Sequence, residues 1–310
     1  MLETLSIFIV SLIVLIKASQ YLIDSSIEMA KILKISLFSV GFIMLSVATS
    51  IPELFVSIIA SLGGNSGIAV GNVIGANIAD IAWVLGVTAV LGFVRFKKSA
   101  ISDHATVLFI MSIIPLILLT AGIIERQIGL ILLLIFIFYC FFVIKRGHSS
   151  EIEHRRYAPQ EIIRNTAVFI FALAIVLISA NYIVQSGVGI AIALNVPQTF
   201  IGLSIISIGT TLPELTVSVA AIRKKKSSLA IGNILGSCVT NLTLVLGTAA
   251  VITPVKFNLE VITPAVIFLL GLNFFIWMEV AKGKITRRIG ALMIIAYLAF
   301  ILMEAGVITL

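Results

Sequence analysis

The sequence predicts an all-α membrane protein: ten transmembrane helices arranged as two five-helix repeats of opposite orientation. Three observations carry that prediction. The first is composition: 60% of the 310 residues are hydrophobic and only 11% charged, with a mean hydropathy of +1.21, which excludes an ordinary soluble globular protein. The second is a pattern of polar residues that recurs at a constant offset of 161 positions. The third is the sidedness of the positive charge.

A helix needs about 20 apolar residues to cross a ~30 Å hydrocarbon core. Ten runs qualify, at 4–23 (with room to run on to 30), 36–62, 67–93, 103–122, 126–145, 164–186, 197–222, 228–252, 259–281 and 287–306. When the loops between them are sorted by alternating side, 18 of the 21 Lys and Arg gather on one face of the membrane. Only Arg126 and Lys256 fall on the other, and Lys17 lies within the first span. The positive-inside rule makes the rich face cytoplasmic and puts both termini outside, in a multi-pass protein of the cell membrane. Topology therefore accounts for the net charge of +7 with no nucleic-acid partner. The first run has no small-residue cleavage site and reads as a retained helix rather than a signal peptide. Cys140 and Cys238 fall inside spans and read as buried small residues, not as a disulfide. His104, His148 and His154 sit at membrane edges or in a loop, without metal-ligand spacing.

In chain order, helix one is apolar apart from Lys17, Gln20 and Asp24, and its Gln20-Tyr21-Leu22-Ile23-Asp24-Ser25 recurs in helix six as Asn181-Tyr182-Ile183-Val184-Gln185-Ser186. Tyr21 and Tyr182 suit the interfacial aromatic belt. Helix two carries Ser46-Val47-Ala48-Thr49-Ser50-Ile51-Pro52-Glu53-Leu54, and helix seven repeats it as Ser207-Ile208-Gly209-Thr210-Thr211-Leu212-Pro213-Glu214-Leu215. Pro52 has no N–H for the carbonyl four residues back and its ring displaces that carbonyl, so backbone oxygens near Ala48 and Thr49 are freed. Helical spacing puts Ser46, Thr49, Ser50, Glu53 and Ser57 on one face. That is a hard-oxygen set suited to Na⁺ or Ca²⁺.

Helix three holds Gly71-Asn72-Val73-Ile74-Gly75-Ala76-Asn77-Ile78-Ala79-Asp80, matched in helix eight by Gly232-Asn233-Ile234-Leu235-Gly236-Ser237-Cys238-Val239-Thr240-Asn241. Asn72, Ala76 and Asp80 form one stripe, and Asn233, Ser237 and Asn241 the other. The glycines permit close helix contact, and packing alone also fits the two asparagines. Asp80 is different, being a potential charge in hydrocarbon. Helices four and five, and nine and ten, read as scaffold, with kinks at Pro115 and Pro264. A short charged linker, 148–163, divides the chain into halves at 1–147 and 164–310. Five helices per half invert the second relative to the first, which is the plan of secondary transporters with a midplane site where broken helices meet.

At these residues the sequence resembles the calcium/cation antiporter superfamily, and most of all its sodium/calcium exchangers. The resemblance rests on two Gly-Thr-Ser-Leu-Pro-Glu type motifs, each followed by a Gly-Asn-x-x-Gly-Ser type motif, and it extends over essentially the whole chain. It implies that Glu53, Glu214 and the carbonyls of Thr49 and Thr210 hold Ca²⁺. It further implies that Ser46, Ser50, Ser207, Thr211 and Ser237 contribute to Na⁺ sites, with Asp80 and Asn241 as an acid/amide pair between the glutamates. The sequence departs from the pattern at Ala48 and Ala76, where the family usually has glycine and serine, so one hydroxyl ligand of the first repeat is absent. The acid of the mid-site pair stands in the first repeat, whereas in some relatives it is in the second. The large regulatory loop of animal exchangers is missing.

These readings converge on a secondary antiporter that exchanges Na⁺ for Ca²⁺ by alternating access. A Ca²⁺/H⁺ antiporter of the same fold, in which the glutamates themselves titrate, is the alternative. An internal inverted repeat disfavours a channel, and no nucleophile–base pairing suggests an enzyme. The expected partners are the two ions as substrates and the lipid bilayer, with no cofactor and a monomeric state.

Overall fold

A computed structural model describes residues 2–64, 66–92, 94–95, 106, 109–110, 113, 122–146, 157–193, 207–256, 259–280 and 282–304. Most of the predicted fourth span with Pro115, the first ten residues of the seventh, most of the linker and all three histidines lie outside the described residues. The protein is an all-α membrane protein. Among the described residues, six helices are long and apolar enough to cross a membrane, or seven when one bent pair is taken as a single span.

Two long helices, α1 (Leu2–Leu33) and, further along the chain, Pro159–Ala193, pack along one another. Both outrun their predicted spans, because contacts beyond the apolar stretch keep the helix going. At that end the Thr166 hydroxyl meets the Met29 sulfur at 3.8 Å, and the Tyr157 hydroxyl donates to Glu28 at 3.5 Å.

Helix α2 (Leu37–Thr49) starts at Ser36, whose hydroxyl accepts the Ser39 N–H at 3.1 Å. It ends at Ser50 (φ −80°, ψ 9°), where the chain turns by 43° into α3 (Ile51–Leu62). Pro52 sits in the first turn of α3, where a missing N–H costs nothing. Next come α4 (Gly67–Leu91), β1 (Val94–Arg95), β2 (Ile123–Ile124), α5 (Arg126–Arg146) and α6, the Pro159–Ala193 helix already met. The second discontinuous helix follows as α7 (Ser207–Thr210) and α8 (Leu212–Arg223), and then α9 (Ser227–Ile252). The chain closes with β3 (Val255–Lys256), α10 (Leu259–Val280), β4 (Lys284–Ile285) and α11 (Arg287–Glu304). Wide π-helical turns interrupt α2 at Val40–Leu45, α4 at Ala79–Val84 and α9 at Asn241–Val245.

Shifting a position by 161 reproduces this geometry. The bounds of α3 become those of α8, and the break at Ser50 becomes Thr211 (φ −90°, ψ 6°). Gly122 (φ 70°) becomes Gly283 (φ 74°), each just before a strand, in a left-handed conformation that glycine adopts without steric cost. The strands cross over: β1 pairs antiparallel with β4 and β2 with β3, so each pair takes one member from either half. Helix crossings follow the same rule. A Cβ on Gly86 would lie 3.0 Å from the Gly290 carbonyl oxygen, and one on Gly247 would lie 3.0 Å from that of Gly129.

The most enclosed spans are α4 and α9, 78% and 83% buried over their apolar windows against 28% for α1. They form the centre, and α2 lies directly on α9. Any Cβ on Gly41 or Gly232 would collide with backbone carbonyls of the facing helix, those of Leu229 and Phe38.

Candidate ion-binding site

Each break puts a helix C-terminus and a helix N-terminus side by side. The last turn of α2, ending at Thr49, and of α7, ending at Thr210, presents carbonyl oxygens and the negative end of the helix dipole, which favour a cation. Glu53 and Glu214 occupy the first turns of α3 and α8, where the opposite dipole end favours a carboxylate. Alongside them, Asp80 and Asn241 project from the π turns of α4 and α9, a backbone irregularity frequent at functional sites.

These side chains are shut away from solvent. Glu53, Asp80 and Glu214 are each 1% exposed, and Ser46, Thr49, Ser50, Thr211, Ser237 and Asn241 are buried with them. Thr210 is half-buried, and Ser207 lies in α7 with its side chain outside the description. The three acids interact with one another electrostatically: Glu53 acts on both Asp80 and Glu214, and Asp80 acts on Glu214. Thr210 lies beside the Glu53 carboxylate and Thr49 beside that of Glu214, so each glutamate has a threonine of the opposite half as neighbour. Both carboxylate oxygens of Glu53, both of Asp80, Oε2 of Glu214, the hydroxyls of Ser50 and Ser237 and Oδ1 of Asn241 have no hydrogen-bond partner among the described residues.

Buried polar groups are ordinarily satisfied, and a buried carboxylate without a counter-charge costs several kcal/mol. So many oxygens converging without donors fit a hard cation. No set of three or more His, Cys, Asp and Glu among the described residues could hold a metal by itself. A cation held here would take a mixed set, with hydroxyl, amide and carbonyl oxygens completing what two or three carboxylates begin.

A sequence model described as "Sodium/calcium exchanger protein" matches residues 4–145 and 164–305, which include every one of these positions. The chain belongs to the sodium/calcium exchanger family. Among the exchanger's relatives, the sodium/calcium exchanger MaX1 of Methanosarcina acetivorans is 28% identical, covering 95% of this chain and 96% of its own. The putative antiporter CaxA of Alkalimonas amylolytica is 30% identical over 79% and 80%. The sodium–calcium exchanger NCX_Mj, solved after soaking with 10 mM Na⁺ and zero Ca²⁺, superposes with a TM-score of 0.86 at 26% identity over 96% and 97% of the two chains. The family is one of transporters, and Ca²⁺ and Na⁺ are the ions its members exchange.

The site also recruits residues outside the expected set. Asn72 donates from Nδ2 to the Glu53 carbonyl and to the Ser57 hydroxyl, both at 3.0 Å. Asn233 donates to Ser218 at 3.1 Å, one turn beyond Glu214. Thr240 meets Ser46 at 3.4 Å across the two halves. Ser218 was findable, being Ser57 shifted by 161; Thr240 was not, because its counterpart is Ala79. Cys238 is a buried free thiol that feels the charges of Asp80 and Glu214, whereas Cys140 is only half-buried.

Proposed function

We propose that this exchanger moves Ca²⁺ out of the cell against Na⁺ entering it, by alternating access to one site between α2–α3 and α7–α8. What carries the reading is the group of Glu53, Asp80 and Glu214, buried together with oxygens that lack donors and ringed by hydroxyls. Two to three negative charges balance one Ca²⁺ or two to three Na⁺. Neither load fits beside the other, and competition for the same carboxylates couples the fluxes.

Glu53 and Glu214, with Thr49 and Thr210, are assigned to Ca²⁺. Ser46, Ser50, Ser207, Thr211 and Ser237 are assigned to flanking Na⁺ sites, and Asp80 with Asn241 to the middle. Hydroxyl ligands favour Na⁺ over H⁺ as the counter-ion, since a proton on a carboxylate needs none. The assembly is a monomer of ten spans in two inverted halves, 1–147 and 164–310, joined by the linker 148–163, with both termini outside. The matching boundaries of α3 and α8 and the exchanged strand pairs support the duplication, and the positive charge supports the orientation. The test is uptake of ⁴⁵Ca²⁺ into proteoliposomes under an imposed Na⁺ gradient and, separately, an imposed pH gradient. Uptake driven by Na⁺ alone is expected; uptake driven only by the pH gradient would make the protein a Ca²⁺/H⁺ antiporter.

A further inference from the structure

Asn233 is buried in α9 and touches both discontinuous helices. Its amide nitrogen donates to Ser218 on α8, and its amide oxygen lies 3.4 Å from the Thr49 hydroxyl at the end of α2. In the structure Nδ2 faces Ser218 and Oδ1 faces Thr49.

The Thr49 hydroxyl has a single proton and three acceptors around it. They are the Ser46 carbonyl at 3.4 Å, Asn233 Oδ1 at 3.4 Å, and the carboxylate of Glu214. A hydroxyl that coordinates a cation does so through a lone pair, so its proton must turn away from the ion and from the carboxylate that shares the ion. The Ser46 carbonyl already accepts the Ser50 N–H at 2.9 Å. That carbonyl keeps a second lone pair, but Asn233 Oδ1 accepts from no other described group and is the less encumbered acceptor.

Given that the cation site is as read above, we propose that Asn233 is a positioning residue for it: when an ion enters, Asn233 accepts the Thr49 hydroxyl proton and so turns that hydroxyl from a donor to Glu214 into an ion ligand. One amide thus links the glutamate-bearing helix of the second half to the threonine of the first. Its counterpart Asn72 takes a different part, holding the Glu53 turn through that residue's own carbonyl and Ser57.

Calorimetric Ca²⁺ binding in Na⁺-free buffer, together with Ca²⁺ transport in proteoliposomes, tests the assignment. With one hydrogen bond between neutral groups lost, Asn233→Ala should raise the Ca²⁺ concentration for half-saturation by about three- to tenfold while the maximal rate stays within about twofold. Asn233→Asp keeps an acceptor at Oδ1 and should restore wild-type affinity or better. In a Thr49→Val background, which removes the hydroxyl but keeps the backbone carbonyl, Asn233→Ala should cause no further loss. If Asn233→Ala does not yield monodisperse protein, Asn233→Ser, too short to reach Thr49, carries the same expectation. Unchanged affinity in the Asn233 variants, or an equal additional loss in the Thr49→Val background, would overturn the assignment. A wild-type protein that binds no Ca²⁺ would instead overturn the reading of the site itself.

Discussion

Glu53 and Glu214 stand in like surroundings, each in the first turn after a break and each beside a threonine from the other half. Removing one member of a buried charge pair costs roughly 2–5 kcal/mol, so Glu53→Gln and Glu214→Gln should each weaken Ca²⁺ binding by at least about thirtyfold. Both should abolish measurable ⁴⁵Ca²⁺ flux while the protein stays monodisperse in detergent, and wild-type flux in either would remove the shared site. Asp80 has an amide, Asn241, rather than an acid as its counterpart in the other half. Asp80→Asn should therefore change the Na⁺:Ca²⁺ ratio, read from reversal potentials in proteoliposomes, more than it changes Ca²⁺ affinity. A third asymmetry lies one turn away, where Ala76 stands at the position that Ser237 holds in the other half. Hard cations need oxygen ligands, so Ala76→Ser should lower the Na⁺ concentration for half-maximal exchange and Ser237→Ala should raise it, Ca²⁺ affinity staying nearly constant. Na⁺ dose–response curves of both variants decide whether position 76 is a ligand position or only packing.

Among the elements, the α2–α9 crossing is the tightest contact the site depends on. Gly232→Ala would drive a methyl into the Phe38 carbonyl, a backbone atom that cannot swing aside, and overpacking of this kind costs about 1–3 kcal/mol. Thermal unfolding in detergent should show a clear drop in midpoint. For Gly271→Ala in α10, where no described atom lies within 4 Å of the new methyl, the midpoint should hold or rise. Much at this scale was legible beforehand: a proline–glutamate pair inside apolar sequence predicts both the break and its direction of use, and the bend falls where Pro52 requires it. The π turns were not legible, since no residue pattern distinguishes them from α-helix and their place is set by packing among α2, α4 and α9. Nor were the strands, which at two residues each carry no alternation to read. The first helix was placed correctly, with an extension past 23 to about 30 allowed for, and its last turns meet the start of α6 through Glu28 and Met29.

Seen as a whole molecule, the two halves hold each other by surfaces that run the length of the bundle: α1 on α6, α2 on α9, and two strand pairs each with a member from either half. Cutting the chain within the linker should therefore be tolerated. Co-expression of 1–150 and 151–310 as separate polypeptides is expected to give a complex that co-purifies on a tag carried by either piece and retains Na⁺-driven Ca²⁺ uptake. Failure to co-purify would mean that the covalent link, not the interface, holds the halves together.

The exchange of strands has a second consequence. Val94 with Ile285 and Ile124 with Val255 are the same contact made twice, as are Gly86 with Gly290 and Gly247 with Gly129. That is the grammar of an isologous dimer, in which any substitution appears on both partners at once. Tethering the partners lifts that constraint. Asp80 can have Asn241 as its counterpart where a true dimer would carry the acid twice, and Lys224 can clasp Asp24 while the corresponding places hold only Gly63 and Gln185. A symmetric dimer weights its two orientations in the membrane equally; one chain carrying both copies can make outward and inward unequal, residue by residue.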